Sequence, residues 1–145
     1  MTHTIHITDR DDDAFADFTL DALRKFNASK AGPSHARPLA VEIHDAQGQP
    51  LGGLTGSTSF GWLFIKIFVI SESLRGQGVG TAVMQAAERE AVARGCHSAW
   101  LDTFEFQARR FYEKLGYSCF GQLPDYPVGH RRFFMRKSLV SPAES

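Results

Sequence analysis

The segment that most constrains the fold is a run of nine residues, 62–70, in which Lys66 is the one charged side chain. Such an apolar, β-branched and aromatic run is typical of a central strand that is buried on both faces. It is too short for a transmembrane helix, which takes about 20 residues. We interpret Lys66 as a lysine that reaches solvent while its aliphatic stem packs on apolar surface.

A glycine cluster follows this predicted strand. Residues 75–81 read Arg-Gly-Gln-Gly-Val-Gly-Thr, and a helical pattern begins inside the cluster. Glycines allow close approach of the backbone to a ligand, and a helix start offers unpaired N–H donors with a positive dipole end. We therefore predict a phosphate or pyrophosphate site, to which Arg75 adds a cation. The pattern lacks the lysine of a Walker loop, and its spacing and position differ from a Rossmann fingerprint.

The rest of the chain reads as alternating strands and helices. We predict strands at 4–7, 39–44, 51–58, 62–70, 98–103, 117–121 and 131–139, and helices that start near Asp11, Val79 and Ala108. This β-α-β-β-β-α-β-α-β-β order indicates an α/β sandwich with at least one parallel crossover. A length of 145 residues with 43% hydrophobic and 22% charged residues suits one globular domain, predicted at 1–140, with a disordered tail at 141–145.

Charge and cysteine content limit which binding partners and which cellular compartment we expect. The net charge of zero gives no general attraction to nucleic acid or to a membrane surface. Two cysteines are too few for a disulfide scaffold; we expect free thiols, although one bridge between them stays open. The N-terminal residues do not resemble a signal peptide, so we expect a cytoplasmic location. The six histidines form no ligand cluster, and we predict no metal.

Two motifs give the sequence a resemblance to a known family. Arg75, Gly78 and Gly80 match the Arg/Gln-x-x-Gly-x-Gly/Ala motif of the GNAT superfamily of acetyl-CoA-dependent N-acetyltransferases, and residues 108–117 are similar to its closing motif, Ala-x-x-x-Tyr-x-x-x-Gly-Phe/Tyr. The resemblance covers most of the chain and is strongest after residue 60. It implies a single-domain, three-layer α/β sandwich with a mixed central sheet, and acetyl-CoA as co-substrate.

The resemblance also implies where acetyl-CoA binds. The glycine loop would hold the pyrophosphate, and the end of the central strand would pair with the pantetheine arm. Glu105 occupies the place of an asparagine that often contacts the arm, so Gln107 or a backbone group takes that contact instead. The cofactor-binding residues expected in this way are Phe68, Val69, Ile70, Arg75, Gly76, Gln77, Gly78, Val79, Gly80, Thr81 and Gln107.

The chemistry needs a proton donor for the thiolate and a proton acceptor for the amine. Tyr112 occupies the family position of the acid, and the alternative is a core tyrosine. The base stays open, because the central strand has no carboxylate; ordered water is one option. Residues expected near the acceptor are Glu42, Asp102, Glu105, Tyr126 and His130.

We expect a small amine as the acceptor, such as an amino acid, a polyamine or an amino sugar. Carboxylates and the aromatic rings of Phe104, Phe106 and Tyr126 suit a cationic amine. The alternatives are a protein or peptide amine, or a non-catalytic acyl-CoA-binding module. The resemblance leaves a homodimer through the C-terminal strands open.

Overall fold

The computed structural model describes residues 2–140, so the predicted tail at 141–145 lies outside it. The described residues form two compact units, one ending at Ser34 and the other beginning at His35. We describe each unit by itself, and the domain boundary at residue 140 stays a prediction.

The first unit contains one helix, α1 (Asp13–Ala31). The Asp12 carboxylate caps it by accepting a hydrogen bond from the Phe15 N–H at 3.2 Å, and Gly32 with φ 80° ends it. The strand predicted at 4–7 is wrong: these residues have no regular secondary structure. Two alternating isoleucines predict a strand only where a neighbouring strand supplies hydrogen bonds, and none pairs with this segment.

The second unit is a six-stranded mixed sheet with two helices. The strand order is β1-β2-β3-β4-β6-β5, and only the β3–β4 pair is parallel. The predicted α/β fold with a mixed sheet is confirmed, with one strand fewer than expected. The elements are β1 (Arg37–His44), β2 (Pro50–Ser59), β3 (Trp62–Ile70), α2 (Val79–Ala93), β4 (Ser98–Phe104), α3 (Arg109–Lys114), β5 (Ser118–Pro124) and β6 (Arg131–Ser138), with a short 3-10 turn at Glu72–Leu74.

Helices α2 and α3 pack on one face of the sheet, which we call the helix face. Their contacts join the strands in one apolar core, whose largest fully buried side chains are Leu63, Met84, Leu101 and Met135. Alternation along β4 puts Leu101 and Thr103 on the helix face and Asp102 on the opposite face. The two cysteines of the chain are free, and Cys96 is buried.

A β-bulge interrupts β3 at Lys66. The neighbouring strand pairs Gly56 with Ile65 and Thr55 with Ile67, so Lys66 is the extra residue. Ile65 is buried in the core, and Phe68 stacks on Phe111 of α3. Because residues on both sides of the bulge face the helices, Lys66 and Ile67 both point to the opposite face.

A half-buried polar triad joins α2 to the end of the sheet. The hydroxyl of Tyr117 donates to Oε2 of Glu88 at 2.7 Å, and the Nζ of Lys137 donates to Oε1 at 2.7 Å. Burial, followed by the charge of Glu88, holds the pKa of the Tyr117 hydroxyl well above its usual value. The triad fixes the segment between α3 and β5 against α2.

Candidate functional site

Strands β3 and β4 separate part-way along their length. Their pairing ends at Ile65 opposite Leu101, while β3 continues to Ile70 and β4 to Phe104. We call the point of separation the fork. Beyond the fork, the backbone of β3 has no partner on the β4 side. Unpaired strand backbone of this kind can bind an extended ligand as an added strand.

A cleft of about 1080 Å³ occupies the fork. Its lining includes Phe68 and Tyr112 from the helix face together with Lys66 and Asp102 from the opposite face. The cleft therefore passes between the two strands and is lined from both sides of the sheet. The cofactor residues predicted from sequence all line it, with the exception of Gln77: Phe68, Val69, Ile70, Arg75, Gly76, Gly78, Val79, Gly80, Thr81 and Gln107.

The glycine loop forms the helix-face end of the cleft. Gly76 and Gly78 have φ of 79° and 75°, in the left-handed region that favours glycine, and a Cβ on either would meet no atom within 4 Å. Gly78 is the N-cap of α2 and supplies no side-chain cap. The first N–H groups of α2 are therefore left for a ligand. The side chain of Arg75 is 68% exposed beside them, whereas the amide of Gln77 donates to the carbonyl of Ser73.

Gly80 determines how closely the loop packs. A Cβ at this position would lie 3.2 Å from Cζ of Phe68 and 3.3 Å from Cζ of Phe111. The glycine thus allows the stacked pair of phenyl rings to approach the start of α2. These rings form the apolar wall between the glycine loop and the fork.

Gln107, rather than Glu105, presents a polar group to the cleft. Oε1 of Gln107 accepts from the Phe104 N–H at 2.8 Å and from the Thr103 hydroxyl at 3.2 Å, which fixes the amide and leaves its Nε2 donors for the cleft. Glu105 is absent from the lining, and its Oε1 lies 2.7 Å from Nδ1 of His130. Of these two residues, only Gln107 lines the cleft.

Tyr112 reaches the cleft from α3. Its ring packs edge-on against Phe68 and Tyr117 and is 6% exposed. Among the described residues, no group hydrogen-bonds to its hydroxyl, and Tyr112 lines the cleft. Burial first, and then the charge of Asp102, raises the pKa of Tyr112 to about 12. The hydroxyl consequently keeps its proton at neutral pH and can donate it.

Asp102 and Arg132 form the polar part of the opposite face. Nε and Nη2 of Arg132 both donate to Oδ1 of Asp102, at 2.9 and 2.6 Å, and no described residue donates to Oδ2. The guanidinium lies 4.7 Å from the Tyr126 ring centroid and 5.3 Å from that of Phe104. Two of the aromatic rings expected to receive a cationic acceptor are therefore in contact with a cation of the protein itself.

The other expected acceptor residues lie outside the cleft lining. Glu42 is on β1, with 71% of its side chain exposed and its Oε1 3.5 Å from Nε2 of His44. Strand β2 separates β1 from β3, which puts Glu42 roughly 10 Å from the fork strand. Tyr126 and His130 do not line the cleft themselves but contact residues that do. Tyr126 contacts Arg132, and the ring of His130 packs edge-on against that of Phe106.

Sequence reasoning did not single out Arg132; it expected Lys66 to reach solvent along apolar surface, and Lys66 is exposed. Both residues line the cleft. Arg132 follows a loop of mixed composition and carries no motif, so only its pairing opposite Phe104 brings it to Asp102. An unexpected charge within an apolar strand was the available signal for Lys66.

Residues 2–140 contain no group of three or more His, Cys, Asp or Glu side chains arranged to hold a metal ion. Within the same range, no helix combines the length and the apolar character needed to cross a membrane.

Comparison with known families decides the class of the protein. A family model described as acetyltransferase (GNAT) family matches residues 5–117. The chain belongs to the GNAT family of acetyltransferases. The family uses acetyl-CoA, and membership identifies the protein as an acyltransferase enzyme.

Individual relatives agree with this assignment. The GNAT chain is 34% identical over 117 residues to acetyltransferase Atu2258 of Agrobacterium fabrum, which covers 81% of this chain and 85% of the relative. It is also 34% identical over 108 residues to blasticidin-S acetyltransferase of Streptomyces morookaense, covering 72% and 79% of the two chains. A crystal structure reported as an acetyltransferase from Agrobacterium tumefaciens has a TM-score of 0.88 and 31% identity, covering 94% of this chain and 99% of its own.

Proposed function

We propose that this acetyltransferase transfers the acetyl group of acetyl-CoA to the primary amine of a small molecule by direct attack. One observation carries the proposal: the cleft passes between β3 and β4, so that its glycine-loop end and its Asp102 end lie on opposite faces of the sheet. Cofactor and acceptor can then approach the fork from different sides. The similarity to an enzyme named for blasticidin S supports a small acceptor.

The residues of the helix face fit acetyl-CoA. Left-handed glycines, an uncapped helix start and the exposed Arg75 suit a pyrophosphate. The unpaired end of β3 suits an extended pantetheine arm, to which Nε2 of Gln107 can donate. When bound, acetyl-CoA supplies an acetyl group activated as a thioester.

Two side chains of the cleft suit the proton transfers. An ammonium acceptor must first lose one proton; its nitrogen then bonds to the acetyl carbon and loses a second proton, while the C–S bond breaks and the sulfur gains one, so that one proton passes to solvent. Oδ2 of Asp102 is the carboxylate oxygen available to accept from the amine, directly or through water. The protonated hydroxyl of Tyr112 is the available donor on the helix face.

The test is an assay of thiol release from acetyl-CoA over amino acids, polyamines, amino sugars and lysine-containing peptides, with products identified by mass spectrometry. We expect acetylation of one class of small amine and none of peptides. Acetylation of peptide lysines or N-termini with every small amine inert would replace the small acceptor by a protein. Absence of thiol release with every acceptor would refute the proposal.

A further inference from the structure

The first residue of β3 and the first residue of β4 beyond the fork carry opposite charges. Lys66 directly follows Ile65 on β3, and Asp102 directly follows Leu101 on β4, where Ile65 and Leu101 are the last paired residues. The bulge turns Lys66 away from the helix face, and alternation along β4 does the same for Asp102. The two side chains therefore lie on the same face of the sheet, each at the first position of its strand beyond the fork.

These two charges have different partners. Asp102 is held by Arg132 through Oδ1 alone, which leaves Oδ2 without a donor among the described residues. Lys66 forms no ion pair with any carboxylate of residues 2–140, including that of Asp102 across the fork. The structure thus presents one unpaired carboxylate oxygen and one unpaired ammonium on two residues that line the same cleft.

The balance of charges at the fork determines which class of small amine fits best. Asp102 brings one negative charge, while Lys66 and Arg132 bring two positive charges. A diamine would add further positive charge that nothing at the fork neutralises. An amine that carries a carboxylate can instead satisfy both unpaired groups, since opposite charges at hydrogen-bonding distance interact most strongly where water is partly excluded.

We propose that the acceptor is an amino carboxylate, whose amine binds Oδ2 of Asp102 and whose carboxylate binds Nζ of Lys66. Arg132 is then a positioning residue: by donating to Oδ1 from Nε and Nη2, it orients Asp102 so that Oδ2 faces the amine. The inference rests on the proposed function and narrows its substrate class. It favours amino acids over polyamines.

The experiment compares each free amino acid with its methyl ester and with a diamine of similar length, using wild-type protein and acetyl-CoA. Glycine, β-alanine and 4-aminobutyrate vary the distance between the two groups. The ester has the less basic amine, so intrinsic reactivity alone would favour the ester. We expect kcat/KM for the best free acid to exceed that of its ester about 10-fold or more, as for a hydrogen bond between charged groups.

Charge reversal at Lys66 tests the contact. In Lys66→Glu, kcat/KM for the acid should fall about 10- to 100-fold, while kcat/KM for the matched diamine should rise. Lys114→Glu, on the exposed side of α3 and outside the cleft lining, is the matched control and should leave both values unchanged. Melting temperatures of the variants check that the fold is kept.

Substitution of Arg132 tests its positioning role. Arg132→Gln should raise KM for the acceptor and leave KM for acetyl-CoA unchanged, and Arg132→Lys should restore part of the acceptor affinity because the charge is retained. A purely structural role would lower the melting temperature and change both KM values alike.

Two outcomes overturn the inference, and they are distinguishable. Equal use of free acids and esters by the wild-type protein, or an unchanged acid-to-diamine preference in Lys66→Glu, would refute the amino carboxylate and leave small-amine acetylation standing. Absence of thiol release with every amine would refute the proposed function, and the inference with it.

Discussion

Two tyrosines at the end of α3 allow the catalytic and structural roles of a hydroxyl to be separated. Tyr112 and Tyr117 both have buried rings, at 6% and 3% exposure, and their ring centroids are 6.1 Å apart. Only the Tyr117 hydroxyl has a protein partner, Glu88, and only Tyr112 borders the cleft. Replacing each by phenylalanine removes one oxygen atom and keeps the ring packing.

We expect Tyr112→Phe to lower turnover and keep stability, and Tyr117→Phe to lower stability and keep turnover. In Tyr112→Phe no hydrogen bond within the described residues is lost, so stability should hardly change, while loss of a general acid lowers turnover about 10²–10⁴-fold, or roughly 3–5 kcal/mol in the barrier. In Tyr117→Phe the Glu88 carboxylate loses a donor, which costs about 1.5–3 kcal/mol and lowers the melting temperature by about 3–12 °C. Its turnover should stay near that of the wild type.

The assay combines steady-state and single-turnover thiol release with thermal melts. Because the pKa of Tyr112 is raised to about 12, its proton stays in place throughout the usual assay range, and the wild-type turnover number should show no alkaline loss from this group below about pH 11. An unchanged single-turnover rate in Tyr112→Phe would refute the acid role. Equal losses of turnover in both variants would show that the substitutions act through packing.

Two further substitutions address the cofactor end of the cleft. Gly78→Asp places a carboxylate in open cleft space at φ 75°, so calorimetric titration should show that CoA affinity is lost. The control is Gly95→Asp, at φ 89° and with equally open surroundings but outside the cleft lining, which should bind CoA as the wild type does. Gln107→Glu keeps the oxygen that accepts from the Phe104 N–H and removes the amide donors, so KM for acetyl-CoA should rise about 2- to 10-fold. Its control, Gln122→Glu, lies outside the cleft lining and should leave this KM unchanged. CoA binding by Gly78→Asp, or an unchanged KM in Gln107→Glu, would contradict the assigned contacts.

Local patterns in the sequence predicted the features that local geometry determines. The glycines at 76 and 78 do adopt left-handed backbone, and the apolar spacing after Ala108 does form a helix that ends near Gly116. Each of these depends on neighbours within a few residues. The failure at residues 4–7 has the complementary cause, because a strand requires a partner that the segment itself does not specify.

Asp102, Phe104 and Phe106, expected near the acceptor, do line the cleft, but the rest of that end could not be predicted because it depends on strand order and on one bulge. Glu42 looked suitable as a carboxylate on a strand, yet the order β1-β2-β3 keeps it away from the fork. Arg132 reaches Asp102 only through the pairing of β6 with β4, about 30 residues apart in sequence. The orientation of Lys66 depends on the register of β3 against β2.

The bulge in β3 makes residue 66 an insertion that the strand itself does not require. A chain without it would pair Ile65 and Ile67 with Gly56 and Thr55 as successive partners, and Phe68 would still face the helices. The strand would keep its ladder and its core side chains and lose one cation at the fork. Gain or loss of a single residue could thus change which amines the cleft accepts during divergence of such enzymes, at little cost to folding.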